Sequence, residues 1–439
     1  MSAPPAQHVL SIRGGRPLVG HIPISGSKNA SLPIMAASML TDEPVLLRNV
    51  PQVADTALMT EILRELGGSV EQVDGAVALR ASRLGSVVPQ ELAQRMRASI
   101  VLLGALLART GEARLPKPGG DEIGARRVEQ HIRGLRAMGA EIEEEPAQFV
   151  ARVRGRLHGA RVILDLPTVT GTENLVMAGV LARGRTEIFN AAREPHVQDL
   201  CRFLRSMGAA IDGAGTDVIV VEGVDRLSGT EHRIIPDYLE AGTYAIAAAA
   251  TGGDVLMEQG PHEDLTHVLL KLEQAGAEID SGPEAIRVRR EPDRPLHAVD
   301  LVSWVHPGFP TDLQAQYMAL MTQARGETVI AEIIYENRFQ QVPQLRRMGA
   351  SIEVRGRYAV VEGPVRLQGA EVAVPDIRSG AALAIAALCA QGETELREAW
   401  HIERGYENLP GKLAQLGAVI ARGLQDGDDR LAEAPSTFE

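Results

Sequence analysis

The sequence predicts an α/β protein of two inside-out α/β domains, each of three repeats with buried central helices and outward-facing sheets. Three observations carry this. One octapeptide recurs six times, each interval holds an Ala-rich helix apolar on every side, and the strands between are short and mix charged with apolar residues.

The octapeptide reads LRELGGSV at 63, LRAMGAEI at 135, LRSMGAAI at 204, LEQAGAEI at 272, LRRMGASI at 345 and LAQLGAVI at 413. Its first glycines, Gly67, Gly139, Gly208, Gly276, Gly349 and Gly417, lie 72, 69, 68, 73 and 68 residues apart. Such even spacing marks an internal repeat. Each copy predicts a helix ending on a glycine whose φ turns positive, followed directly by a strand.

An amphipathic helix precedes each copy: Val197, Leu200, Cys201, Leu204 and Met207 recur at helical spacing, as do Leu265, Val268, Leu269 and Leu272. Further upstream lie NASLPIMAASML, ASIVLLGALLA, NLVMAGVLA, AGTYAIAAAA, AQYMALMTQA and GAALAIAALCA. Helices apolar all round must be buried all round. The strands AVALRA, IRVRRE and AVVEGP carry polar residues among apolar ones and so keep one face in water. Each unit thus reads helix, strand, helix, strand, strand, and six units of about 70 residues make two domains of three.

Composition narrows the function. With Lys+Arg 45 against Asp+Glu 57, the net charge is -12, which argues against nucleic acid or an anionic membrane surface as partner. Aromatics at 3% are too few for base-stacking platforms. Cys201 and Cys389 offer neither a metal-ligand spacing nor a disulfide framework, and no secretory signal or membrane span is readable, so a cytoplasmic setting is expected. The acidic, aperiodic stretch after Gly423 reads as a disordered tail over 425–439.

Chemistry collects in the loops that open the helices, among them SGSKNAS (25–31), MRASI (96–100), PTVTGTEN (167–174), FPTDLQAQ (309–316), YENRFQQVP (335–343) and PDIRSGAA (375–382). They hold Lys28, Arg97, Arg126, Arg193, Arg338, Arg378 and Arg404. Cations gathered at helix N-termini in an acidic protein suit a polyanionic ligand. The alternative is that single arginines pair with neighbours such as Glu194 and Glu403. No G-x-G-x-x-G follows a strand, Gly26-Ser27-Lys28 lacks the rest of a phosphate loop, and no H-E-x-x-H or C-x-x-C occurs, so no metal or cofactor is expected. His262 and His267 read as helix-start and surface residues.

The ordered set SGSKNA, MRAS, PGG-x-x-IGAR, NAAREP, FPTD-x-QAQ, ENRF, PD-x-R and HI-x-RGYE resembles the enolpyruvyl transferases from about residue 10 to 423. Lys28-Asn29 and the absence of an NAGT segment favour the branch acting on a UDP-sugar over the shikimate 3-phosphate branch. The resemblance implies a domain of 1–27 with 236–424, to which the chain returns, and a second domain of 28–235 carrying a mobile loop at 117–127. It also implies two small-molecule substrates, phosphoenolpyruvate and UDP-N-acetylglucosamine, with transfer of the enolpyruvyl group to the sugar 3-hydroxyl and release of phosphate.

By the same resemblance Lys28, Arg126 and Arg404 hold phosphate and carboxylate, with Arg97, Arg338 and Arg378 nearby, and Asp312 deprotonates the sugar hydroxyl. Read from its residues alone, Asp312 is equally an N-cap for the helix beginning LQAQYMAL. Arg126, His131, Thr168, Val169, Thr170, Ile334 and Tyr335 match positions around the uridine and diphosphate, and Asn29 and Asp312 those on the sugar. The chain departs from its relatives at Arg126–His131, at Thr168–Gly171 where S-V-G-A is usual, and at His196 where glutamate is common.

Asp121 stands where most of these relatives carry cysteine. A carboxylate there escapes alkylation by epoxides of the fosfomycin type, and can protonate C3 of phosphoenolpyruvate if burial raises its pKa. Two alternatives stay open: an enolpyruvyl transferase for another UDP-sugar or uridine nucleotide, and a catalytically silent UDP-sugar-binding regulator. Oligomeric state is not readable.

Overall fold

Six Ala-rich segments form the central helices, Lys28–Ala37, Leu102–Thr110, Val169–Val180, Tyr238–Thr251, Gln314–Met321 and Ile377–Cys389. In the structure, a computed structural model that describes residues 8–424, nearly every residue of these helices is buried. The expected tail at 425–439 lies outside the described residues. The sheets lie outside the helices and alternate as their composition requires. In Ala285–Arg289, Ile286 and Val288 are buried while Arg287 and Arg289 face water.

All six repeat glycines sit at positive φ, from 91° at Gly417 to 108° at Gly276. In the second copy Gly139 N donates to Arg136 O at 2.9 Å and Ala140 N to Leu135 O at 3.0 Å, satisfying carbonyls the helix end leaves open. The chain is then delivered directly into Glu141–Glu144, the outer strand of a hairpin with Gln148–Arg152.

The helix, strand, helix, strand, strand order holds in five units; in the sixth the last strand is supplied by His8–Arg13, and one further element is added. A short strand ahead of the Ala-rich helix joins most of the sheets in parallel; Arg161–Ile163, for example, pairs with Arg185–Phe189. Strands of two or three residues carry too few side chains to show a period in sequence.

The sheets also close at a distance. Glu231–Arg233 completes the first sheet by pairing with Val45–Arg48, and Val19–Pro23 pairs with Asp254–Glu258. His8–Arg13 lies between Glu393–Arg397 and Val419–Leu424, with Leu10 opposite Leu396 and Ile12 opposite Ile420. Buried apolar residues accordingly fall into two cores. One takes Leu10 to Ile24 with Tyr238 to Leu416, and the other runs from Ala30 to Ile234. The chain crosses between them twice, side by side: Ser27 N donates to Ile235 O and Asp237 N to Ser25 O, both at 2.8 Å. No helix of the described residues is long and apolar enough to cross a membrane.

Candidate active site

All six central helices begin at one cleft of about 850 Å³ between the two cores: Lys28, Val169, Tyr238 and Arg378 lie in first turns, and Arg97 and Asp312 in the 3-10 turns that lead into the other two. Ser27, Thr168, Asp237 and Asp376 cap part of the first turn in four of these helices, and the positive ends of the helix dipoles favour anions in the cleft. The cleft also takes in Asn29, Asp121, Arg126, His131, Thr168, Thr170, Ile334, Tyr335, Arg338 and Arg404, so every candidate catalytic or binding residue from the sequence lines it.

The cations on one side are tied together by an acid the sequence reading left unassigned. Asp55, buried in the first turn of Ala54–Glu65, accepts from Lys28 Nζ and Arg404 Nε, each at 3.2 Å. Arg404 Nη1 donates to Asp121 Oδ1 at 2.6 Å. Burial pushes the Asp121 carboxyl up, but Arg404, then Lys28 and Arg126, more than reverse this and hold it below its usual range. The raised pKa expected for a proton donor is therefore not the state of this arrangement: Asp121 is an ion-paired carboxylate. Arg404 ignores its neighbour Glu403, which binds His8 and Arg422 instead, so simple pairing between chain neighbours does not account for it.

Asp312 does not cap a helix. It lies in the 3-10 turn Thr311–Leu313, and the following helix is preceded by Leu313 with no side-chain cap. Its carboxylate instead accepts from Arg338 Nη2 at 2.6 Å and Arg378 Nη2 at 3.2 Å, the latter from the start of Ile377–Cys389. Burial acts to raise its pKa, and Arg378 and Arg338 overcome that and leave it well below the carboxylate range.

The loop at 117–127 reaches across to the other core. Glu122 O accepts from Asn337 Nδ2 at 3.0 Å and Gln340 Nε2 at 2.6 Å, and Ile123 O from Asn337 N at 3.1 Å. Arg126, in the left-handed region at φ 41°, donates to Asp121 O at 3.3 Å. Its own carbonyl accepts from Arg97 Nη2. Burial and the nearby Arg126 charge together lower the Arg97 pKa to about 10. Tyr335 lies under both Arg126 and Arg338, whose guanidinium carbons stand 5.9 and 5.3 Å from its ring centre.

Glu332 was also missed. Fully buried, it accepts from Ile334 N at 2.9 Å, Tyr335 N at 3.1 Å and Thr311 Oγ1 at 2.8 Å, fixing two walls of the cleft at once. An acid after a strand in AEIIYEN gives no cue to those three partners. On the opposite wall, Glu173 is fully buried and raised to about 8 by burial and by Glu194. His196 is held neutral by burial, its pKa pushed down to about 4. His262 and His267 fall at the start of the 263–275 helical segment, as expected.

The EPSP synthase (3-phosphoshikimate 1-carboxyvinyltransferase) family matches residues 12–413. This chain belongs to that family. A UDP-N-acetylglucosamine 1-carboxyvinyltransferase of Sorangium cellulosum is 53% identical over 94% of the chain and 98% of the relative. Proteins of the same name from Magnetococcus marinus and Granulibacter bethesdensis are 48% and 46% identical, again over 94% of the chain and nearly all of their own length. Among solved structures, the enolpyruvyl transferase NikO from Streptomyces tendae superposes with a TM-score of 0.86 at 26% identity, over 96% of this chain and all of that one. An EPSP synthase of Acinetobacter baumannii shares the fold at TM-score 0.74 and 19% identity, covering 95% of this chain and 100% of that one. The inside-out α/β architecture is thus the EPSP synthase fold, and this member of the family is an enzyme.

Proposed function

We propose that this chain transfers the enolpyruvyl group of phosphoenolpyruvate to the 3-hydroxyl of UDP-N-acetylglucosamine, with release of phosphate, as the first committed step of peptidoglycan synthesis in the cytoplasm. The observation that carries this reading is the pairing of two carboxylates with separate cation sets in one cleft: Asp121 on Arg404 and Asp312 on Arg338 and Arg378. Identities of 46–53% to transferases of that name over nearly whole chains support it.

In this reading Lys28, Arg126 and Arg404 hold the phosphate and carboxylate of phosphoenolpyruvate. Arg404 is the shared element. An anion that takes up its guanidinium leaves Asp121 with burial but less counter-charge, so the carboxyl gains a proton and can deliver it to C3. The sugar O3 bonds to C2 and its proton passes to Asp312. A depressed pKa suits that role when the proton leaves after the C–O bond has formed, since the oxygen is then strongly acidic. The tetrahedral ketal next loses a proton from C3 and its phosphate from C2, which restores the double bond.

Asn29 and Asp312 are assigned to the sugar, and Arg126, His131, Thr168, Val169, Thr170, Ile334 and Tyr335 to the nucleotide, with Arg97 and Arg378 near the phosphoenolpyruvate. Two separate cores support reading 1–27 with 236–424 as one domain and 28–235 as the other, and the bonds from Glu122 and Ile123 to the far core support 117–127 as a lid between them. Phosphate release on mixing the protein with phosphoenolpyruvate and UDP-N-acetylglucosamine tests the proposal. No release, beside an active cysteine-bearing relative, overturns it.

A further inference from the structure

Beneath the nucleotide wall lies a hydrogen-bond chain whose polarity can be read in full. Asn174, fully buried on the Val169–Val180 helix, is outside the cleft lining. Its Oδ1 accepts from Gly104 N at 2.6 Å, and its Nδ2 donates to Ile100 O at 2.9 Å. These two partners fix the amide, because turning it over would set N–H against N–H and oxygen against oxygen. The closeness of Gly104 is enforced by packing: a Cβ there would meet Asn174 O at 2.3 Å.

The same Nδ2 lies 2.9 Å from His131 Nδ1 and, farther off at 3.2 Å, from Thr170 O, so its second hydrogen is directed chiefly to the nearer nitrogen. A donor at that distance requires an unprotonated Nδ1, so the neutral imidazole carries its hydrogen on Nε2. Burial, then the charge of Arg97, lowers the His131 pKa to about 3 and keeps the ring neutral. Nε2 in turn is 3.3 Å from Thr170 Oγ1. One lone pair of the hydroxyl oxygen is thus taken by Nε2–H, and among the described residues the hydroxyl hydrogen has no protein acceptor. Thr170 lines the cleft.

We propose that Asn174 is a positioning residue that sets the His131 tautomer and thereby keeps the Thr170 hydroxyl hydrogen free for donation to an oxygen acceptor of the bound nucleotide. The assignment rests on the reading that a UDP-sugar occupies this wall. It makes Thr170 a specificity determinant, because a ligand oxygen at that point gains the bond from its hydroxyl hydrogen.

The experiment has two parts. In the ligand-free protein, nitrogen NMR of labelled histidine, with His131 identified by the loss of its signals in His131→Gln, should show a neutral Nε2–H imidazole at neutral pH. An Nδ1–H ring or a mixture overturns the proposal. Binding of UDP-N-acetylglucosamine, followed by calorimetry, should weaken about five- to tenfold in Thr170→Val, the loss expected for one hydrogen bond, and stay within about twofold in Thr170→Ser. Equal binding by parent and Thr170→Val, or equal losses in both variants, overturns it. A parent that shows the Nε2–H tautomer but binds no UDP-N-acetylglucosamine overturns the proposed function and leaves the tautomer assignment standing.

Discussion

Arg404 Nη1 and Asp121 Oδ1, 283 residues apart in the chain, meet at 2.6 Å and join the 117–127 loop to the opposite core. That contact makes Asp121 an anion in the free protein and ties its protonation to whatever else claims Arg404.

Anion binding should therefore carry a proton into the site. With UDP-N-acetylglucosamine present, inorganic phosphate binding measured by calorimetry in buffers of different ionisation heat should show proton uptake approaching one per site beyond that of Asp121→Asn. The sign follows from the depressed pKa, since removing the cation raises it and the carboxyl gains a proton. Equal uptake in both proteins would falsify the assignment of Asp121 as the acid.

Asp121→Cys should keep activity and become covalently inactivated by fosfomycin, while the parent resists it, because a thiolate is the nucleophile such an epoxide needs. Mass spectrometry of the intact chain reads the adduct. A parent that is itself modified at the 117–127 loop contradicts the reading.

Asp55 holds Lys28 and Arg404 at 3.2 Å each, so Asp55→Ala leaves two neighbouring cations without their shared carboxylate. We expect kcat/KM for phosphoenolpyruvate to fall about 10- to 100-fold, the change for roughly 1.4–2.7 kcal/mol of misplacement. Steady-state phosphate release measures it, and an unchanged value would show that the cations keep their places alone.

Glu173 gives a stability test. Its folded pKa, raised to about 8, means the folded state binds more protons than the unfolded state between the ordinary glutamate range and pH 8. Stability contributed by this group therefore falls as pH rises through that window. Glu173→Gln removes the dependence, so its Tm relative to the parent should rise between pH 5 and pH 8 by at least about 3 °C, as about 1 kcal/mol does in a domain of this size.

Glycine replacements separate two mechanisms. Gly208→Ala, at φ 100° where an added Cβ would meet nothing within 4 Å, should cost about 1 kcal/mol in urea unfolding through backbone conformation alone. Gly104→Ala brings a Cβ to 2.3 Å from Asn174 O and should cost more, about 2–3 kcal/mol, by forcing two central helices apart.

Much of the architecture was legible because the repeat writes itself in glycine: a capping position at positive φ has few alternatives, so Gly67 through Gly417 announce six helix ends. Helices with no polar face announce their own burial in the same way. The site was legible where a residue type fits a ligand, as with Lys28, Arg126 and Arg404. It was not legible where a residue serves other residues. Asp55, Glu332 and Asn174 act through partners brought in from distant segments, and nothing local in ADTA, AEII or TENL marks them. Asp312 shows the opposite failing: its local context suggested a cap, and two guanidinia from elsewhere in the fold claimed it.

The strand His8–Arg13 sits between partners that begin at Glu393 and end at Leu424. During synthesis this strand must therefore wait for partners that begin about 380 residues after it, while the stretch from Ala30 to Ile234 already holds a full core of its own. Assembly is sequential by construction. His8–Arg13 stays without these partners until residues 393–424 have been made, and the later core is finished by a strand made long before it.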